Sequence, residues 1–201
     1  VNYGVVSPTG NRQGEILGGH GQQLQFNADV FYSGSMARQQ DTANHALKHA
    51  GIAEKISTHP AFNEYDFEGI VRAYLPVLAL EHPGIQMNSR TVFSDPKQFQ
   101  MIFETLIGYW LEARPHEGKP LESWQHFSSR VVAGLKQIAT EDRKRVVAFT
   151  SGGVITVALR EALQSTPPLA IRTKCGCATV RTQHVASGLP GVRISYLQHA
   201  D

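Results

Sequence analysis

Cysteine is nearly absent: Cys175 and Cys177, one residue apart, are the 2 cysteines of a 201-residue chain. A structural zinc site needs a second pair at motif spacing and a disulfide framework needs more, so the two read as reduced thiols beside a strand. Long apolar runs are missing too. Nothing approaches the ~20 apolar residues of a membrane helix, and no signal-peptide pattern is visible, which points to a cytoplasmic protein with no membrane partner. No Lys/Arg block is long enough to follow a nucleic-acid backbone; Arg143-Lys144-Arg145 is short and the net charge is only +2, which argues against nucleic acid as a partner. Neither the dinucleotide nor the P-loop glycine fingerprint follows a suitable strand, and there is no internal repeat or low-complexity tract. What is present, 41% hydrophobic and 18% charged residues, fits one globular domain spanning residues 1–201.

The most informative stretch is Phe149-Thr150-Ser151-Gly152-Gly153. Arg145 to Phe149 reads as a strand covered on both faces, and Val154 to Leu159 as the apolar helix that follows. Glycines at such a junction let backbone N–H groups approach a ligand, and a helix N-terminus favours an anion, so a phosphate site is one reading and a tight turn without ligand the other. A second strand-turn-helix unit precedes it. Asp29 to Ser33 reads as a short strand, and a helix starts at Gly34-Ser35 and runs through Ala43, Ala46 and Leu47 to a glycine cap at Gly51. Earlier still, Ser7-Pro8 opens a weak helix through Ile16 and Leu17, interrupted at Gly18 and Gly19.

Between the two units the pattern is mainly helical, with breaks at Pro60, Pro76, Pro83 and Pro115. Phe99, Ile102, Phe103, Leu106, Trp110 and Leu111 form one apolar helix face, which either fills the core or pairs subunits in a homodimer. Trp124, Phe127, Val131, Leu135 and Ile138 form another, ending near Glu141-Asp142-Arg143. Residues 178–182 and 192–197 read as two strands joined by a Gly/Pro turn. Strands alternating with helices imply an α/β domain, a three-layer α/β/α sandwich with a mostly parallel central sheet and helices on both faces, binding its ligand at the strand C-terminal ends.

Three side chains could converge there. Arg38 lies one turn into the helix after Ser33 and could grip an oxyanion with its guanidinium fork, or pair with Asp41 or Asp29 at the surface. Glu64 lies among aromatics in Phe62-Asn63-Glu64-Tyr65-Asp66-Phe67-Glu68-Gly69; a carboxylate held against rings can keep its proton and act as a general acid, while the plainer reading is a turn with helix-capping acids. Ser151 could bond a phosphate oxygen or cap the helix.

In this order the segments resemble the histidine phosphatase superfamily, the phosphoglycerate-mutase-like proteins. Ser7-Pro8-Thr9-Gly10-Asn11-Arg12-Gln13 is similar to the family's Ser-Pro-x-Gly-x-x-Gln helix start. Ser33 through Ala43 is similar to its Ser-x-x-x-x-Arg-x-x-x-Thr-Ala segment, with Arg38 at the phosphate-binding arginine. Asn63 to Gly69 resembles the segment carrying the acid/base glutamate, with Glu64 in that place. Glu122-Ser123 followed by Arg130 resembles the helix before the last core strand, and Thr150-Ser151-Gly152-Gly153-Val154-Ile155 its Ser-His-Gly-Gly-Val-Ile junction. The resemblance covers most of the chain up to about Leu163 and implies residues 69–121 as a helical cap over the site, where His59, His82, His116 and His126 could line the cleft.

Two departures accompany the matches. The family's Arg-His-Gly nucleophile motif, with the strand carrying it, would lie upstream of Val1, and none of the 9 histidines takes its place. Ser151 stands where the family has its second histidine, and a serine cannot carry imidazolium charge. The resemblance implies a phosphomonoester hydrolase acting through a phosphohistidine on a small phosphorylated substrate, with Glu64, Arg38 and Ser151 catalytic, Arg38, Ser151 and Gly152 holding the phosphate, and neither cofactor nor metal. The Asp66-Phe67 context favours a phosphatase over a mutase-type phosphotransferase. A non-catalytic phosphate-binding or interaction domain of the same fold is the alternative. A serine hydrolase built on Ser151 fits poorly, because Phe149 fills the first glycine position of a nucleophile elbow.

Overall fold

The computed structural model describes residues 28–83, 96–140 and 145–163, the backbone of 183–186 and 193–196, and Arg12 alone in its neighbourhood. The Ser7-Pro8 helix, Cys175, Cys177 and the strand expected over 178–182 lie outside the described residues, apart from Arg12, which is helical. Chain contacts divide the protein into two compact units, residues 1–64 with 128–201, and residues 65–127.

The first unit is built on three parallel strands. β1 (Val30–Ser33) pairs with β2 (Ile56–Thr58) on one side and β3 (Val146–Phe149) on the other. Its centre is β1, where Phe31 is 1% exposed and Ser33 is fully buried. α1 (Ala37–His49) makes the crossover from β1 to β2 and packs on β1 and β3. Ala43, Ala46 and Leu47 recur at helical spacing on its buried face and close a core with Phe31 and Phe149. The helix stops as expected at Gly51, whose φ of 70° is the left-handed conformation a side chain resists, while Ile52 N donates back to Leu47 O at 2.9 Å.

β3 departs from expectation. It is one of the two outer strands of the three, and Ala148 is exposed with Val146 and Val147 only half-buried, so one face of this segment is not covered by the described residues. A run of apolar β-formers reports strand propensity, not how many layers cover it. α5 (Gly152–Leu163) follows β3 and lies along an antiparallel hairpin of β4 (Gln183–Ala186) and β5 (Arg193–Tyr196). The later of the two C-terminal strands thus falls where the sequence placed it, and its partner is 183–186.

Residues 65–127 hold α2 (Phe67–Glu81), α3 (Pro96–Leu111) and the start of α4 (Trp124–Thr140), which continues into the first unit. Pro76 does not break α2. Proline removes one N–H and crowds the preceding turn at a cost of ~3 kcal/mol, but Ile70, Ala73, Tyr74 and Leu78 are buried on both sides of it, and each such side chain contributes up to ~1.5–3 kcal/mol. Burial outweighs the local penalty. On α3, Ile102, Leu106, Ile107, Tyr109 and Trp110 are buried, so that face fills the interior of its own unit. No helix of the described residues is long and apolar enough to cross a membrane. The architecture is the α/β class read from the sequence, with a parallel sheet.

Candidate functional site

The C-terminal ends of the three strands form a rim from which α1 and α5 both start. Strand ends in a parallel sheet are where such folds bind ligands, because helix N-termini open there with unpaired N–H groups. Gly34 N donates to Phe149 O at 3.3 Å and His59 N to Ser33 O at 2.8 Å, extending the ladder past the last strand residues. The turn after β1 is then fastened to the segment after β2: Ser35 N donates to Asn63 Oδ1 and Asn63 Nδ2 to Ser35 Oγ, each at 2.6 Å. That exchange draws Ser35 out of the helix start expected at this point, and α1 begins at Ala37 behind an N-cap, Met36, with no side-chain cap.

Glu64 belongs to this rim. Its Oε2 accepts from Gly153 N at 2.9 Å, so a carboxylate occupies the first turn of α5, where the helix dipole and open amides favour negative charge. Helix capping in this segment is done by Asp66, whose Oδ1 accepts from Gly69 N at 2.8 Å at the start of α2. The two acids therefore have separate tasks. Arg130, on α4, holds the loop that carries Glu64: its Nη1 donates to Ala61 O and Asn63 O, both at 3.0 Å.

Ser151 Oγ accepts a hydrogen bond of 2.7 Å from Gln39 Nε2, and this buried glutamine also donates to Phe62 O at 3.0 Å. Thr150 Oγ1 donates to the same carbonyl at 2.7 Å. Arg38 is the residue before Gln39, half-buried on the first turn of α1, with its carbonyl taken by Thr42 Oγ1 at 2.8 Å. Of the residues singled out in the sequence, Glu64 and the Gly152-Gly153 turn are thus in contact, Ser151 joins them as the residue before α5, and Arg38 lies on the first turn of the helix that supplies Ser151's partner. Gln39 was missed. A signal existed: it lies four residues before Ala43 and seven before Ala46, on the face that α1 buries, and a polar residue at an apolar position needs a partner.

Of the histidines considered for the cleft, His59 uses both ring nitrogens, Nδ1 accepting from Ala61 N at 3.2 Å and Nε2 meeting Gln137 Oε1 at 3.3 Å. That pairing assigns the proton to Nε2. His82 is exposed, His126 pairs with Glu122 at 3.0 Å, and His116 packs its ring 5.1 Å from Tyr74. A hollow of about 380 Å³ lies at the far end of α1, beside Leu47, Gly51 and Ile52. It opens away from the strand C-termini and the helix starts, and the rim is the better site on those grounds. Among the described residues no group of three or more His, Cys, Asp or Glu side chains is placed to hold a metal ion.

The unit of residues 65–127 has its own polar clasp. Arg114 grips Glu81 with both terminal nitrogens, at 2.8 and 3.0 Å, and lies 4.2 Å over the Tyr109 ring, while the Tyr109 hydroxyl donates to Glu81. The hydrogen bonds from Arg114, then Tyr109, hold the Glu81 carboxyl below its ordinary range; burial, then Glu81, pushes Tyr109 up. Beneath it, Trp110 packs against Tyr65, Trp124 and Phe127 and donates its indole N–H to Glu122 O at 2.7 Å.

A parallel α/β sheet with its polar groups gathered at the strand C-terminal ends defines a familiar class of ligand-binding folds. The sequence model of the histidine phosphatase superfamily (branch 1) matches residues 85–192, more than half of the chain, and the chain belongs to that superfamily. The match takes in β3 and α5; the Ser33–Ala43 and Asn63–Gly69 segments precede it. No curated protein matches by sequence. Among solved structures, the chain is similar to an Escherichia coli K-12 protein assigned as an alpha-ribazole-5'-P phosphatase, with TM-score 0.58, 14% identity and coverage of 95% of this chain and 81% of that one. It is also similar to the alpha-ribazole phosphatase of Shigella flexneri, with TM-score 0.53, 13% identity and coverage of 84% and 72%. A mycobacterial glucosyl-3-phosphoglycerate phosphatase solved with inorganic phosphate gives TM-score 0.50, 15% identity and coverage of 82% and 72%. At these identities the likeness is one of fold.

Proposed function

We propose that the rim is the phosphoryl site of a phosphomonoester hydrolase acting through a phosphohistidine in the cytoplasm on a small phosphorylated substrate. The observation that carries the reading is the Glu64 carboxylate on the Gly153 amide at 2.9 Å, which brings the acid/base candidate to the helix start where an oxyanion is favoured. Arg38, Ser151 and the Gly152 amide hold the phosphoryl oxygens. A histidine nitrogen contributed from upstream of Val1 attacks phosphorus in line; Glu64, turned off the Gly153 amide by the bound phosphoryl group, takes up a proton from solvent beside that negative charge, and as the N–P bond forms and the P–O bond breaks it gives this proton to the leaving oxygen. The Glu64 carboxylate then takes a proton from the water that attacks the phosphohistidine, releasing inorganic phosphate and restoring both groups. An oxyanion on the Gly153 amide displaces the carboxylate from it, freeing Glu64 to turn toward the leaving group.

Ser151 favours a second reading. Without an imidazolium at that position, transition-state charge falls on Arg38 and the α5 amides, and a domain that binds phosphate without turnover is consistent with this. Turnover of p-nitrophenyl phosphate by the full-length protein decides between them. Glu64→Gln is expected to lower kcat by about 10²-fold or more, the usual worth of a general acid, and Arg38→Ala to raise KM. Full-length protein with no turnover, or one indifferent to Glu64→Gln, leaves the binding domain as the better reading.

A further inference from the structure

Gln39 is the most constrained polar side chain of the rim. It is 3% exposed, its Nε2 is shared between Ser151 Oγ at 2.7 Å and Phe62 O at 3.0 Å, and its Oε1 has no partner among the described residues. A buried unpaired acceptor carries a desolvation cost, so a different amide orientation would be preferred if one were available. None is. Exchanging the amide's oxygen and nitrogen would set Oε1 against the Phe62 carbonyl, two acceptors face to face, and Phe62 O is held in place by Thr150 Oγ1 at 2.7 Å. The backbone of the loop after β2 therefore fixes which end of Gln39 meets Ser151.

A hydroxyl has one proton and two lone pairs. With one lone pair of Ser151 committed to Gln39, its proton cannot point at Gln39 and is left for another acceptor. We propose that Gln39 is a positioning residue that makes Ser151 a dedicated hydrogen-bond donor, tuning the rim to fully deprotonated phosphoryl oxygens, which only accept, over hydroxyl-bearing groups, which also donate. The inference rests on the phosphate reading above. It assigns Ser151 work that its neighbour dictates: a neutral donor in a position where charge is absent. It also gives a reason for an unpaired buried oxygen, since the amide's donor end is held where the site needs it.

The test is binding of inorganic phosphate to the full chain by calorimetry, with folding checked by circular dichroism. Gln39→Met removes the donor at similar size and charge; it is expected to weaken phosphate about tenfold, the loss of one well-placed hydrogen bond, and to have no further effect in a Ser151→Ala background. Gln39→Glu keeps the shape and supplies a control within one polypeptide. Ionised, it accepts the Ser151 proton and turns the hydroxyl away; protonated, it donates again, so affinity relative to the unmodified chain at the same pH recovers on acidification. Equal losses with and without Ser151, or a Gln39→Glu chain with no recovery at low pH, overturn the positioning role. Failure of the unmodified chain to bind phosphate instead overturns the site reading itself, and the two failures are told apart by that first titration.

Discussion

Gly34→Ala examines how tightly the rim is closed. A Cβ on Gly34 would stand 1.8 Å from Gln39 Oε1, 2.7 Å from Gln39 Cδ and 2.8 Å from the Phe62 carbonyl oxygen. Side-chain contacts that short can usually be relieved by rotation, but Gln39 is anchored to Ser151 and Phe62, so yielding means breaking those bonds. Overpacking a closed interior costs about 1–3 kcal/mol, and two lost hydrogen bonds add about 0.5–1.5 kcal/mol each, for a destabilisation of roughly 2–6 kcal/mol. Urea denaturation followed by circular dichroism reads this as a lowered midpoint. A double-mutant cycle locates the cause: Gln39→Ala removes two of the three close contacts, so the pair should be less destabilised than the sum of the single changes by about 1–2 kcal/mol. Additive effects, or a Gly34→Ala chain within about 0.5 kcal/mol of the unmodified one, would refute the proposition that Gly34 and Gln39 compete for one space.

Three further outcomes are expected. Arg130→Met leaves Ala61 O and Asn63 O without their donor; the Glu64 loop loosens and hydrogen exchange at the Gly153 amide accelerates by about tenfold, whereas unchanged protection would show that the loop is held by other means. Trp110→Ala empties a site that is 2% exposed and orphans Glu122 O, for a loss of about 3–5 kcal/mol in urea denaturation; a change under about 1 kcal/mol would contradict the packing described. Glu81 has a depressed folded-state carboxyl, so its contribution is present above its ordinary value of 4.5 and is lost as pH falls through the folded value. Glu81→Gln should therefore lower the melting temperature modestly at neutral pH, the loss kept small because the Arg114 and Glu81 side chains are 33% and 37% exposed and screened, and should converge on the unmodified chain as pH falls through the folded value, which flattens the acid limb; a parallel shift at every pH would count against this linkage.

Two of the three sheet strands and most helices are legible because their periodicity is local; β2 (Ile56–Thr58) is too short to show one and is not legible in the sequence. Val30–Ser33, the α1 stripe of Ala43, Ala46 and Leu47, and the Gly51 stop each depend on neighbours within a few positions. Coverage of β3 and survival of α2 through Pro76 are not, because each is decided by what packs on the element from far along the chain. The site divides in the same way. Arg38, Glu64 and Ser151 were nameable from residue type and motif order, and the structure puts Glu64 on the turn that Ser151 opens. Gln39, Arg130 and the Phe62 carbonyl were not nameable, since a hydrogen bond to a main-chain oxygen leaves no trace in a motif. The acids of 64–68 were ambiguous for the same reason, and separate only when the backbone shows Asp66 on its own helix and Glu64 reaching the start of another.

The bond from Gln39 to Ser151 joins groups 112 positions apart, and that span has a consequence for biosynthesis. At about 5–20 residues per second, a ribosome needs on the order of 6–20 s to travel from one to the other. For that interval the nascent β1–α1 segment carries its amide with no serine to meet and the apolar side of Phe31 with no Phe149 beside it. Premature termination before Val146 yields a product that lacks β3 and α5 and leaves the β1 edge that β3 covers without its partner, a substrate for chaperones and proteases.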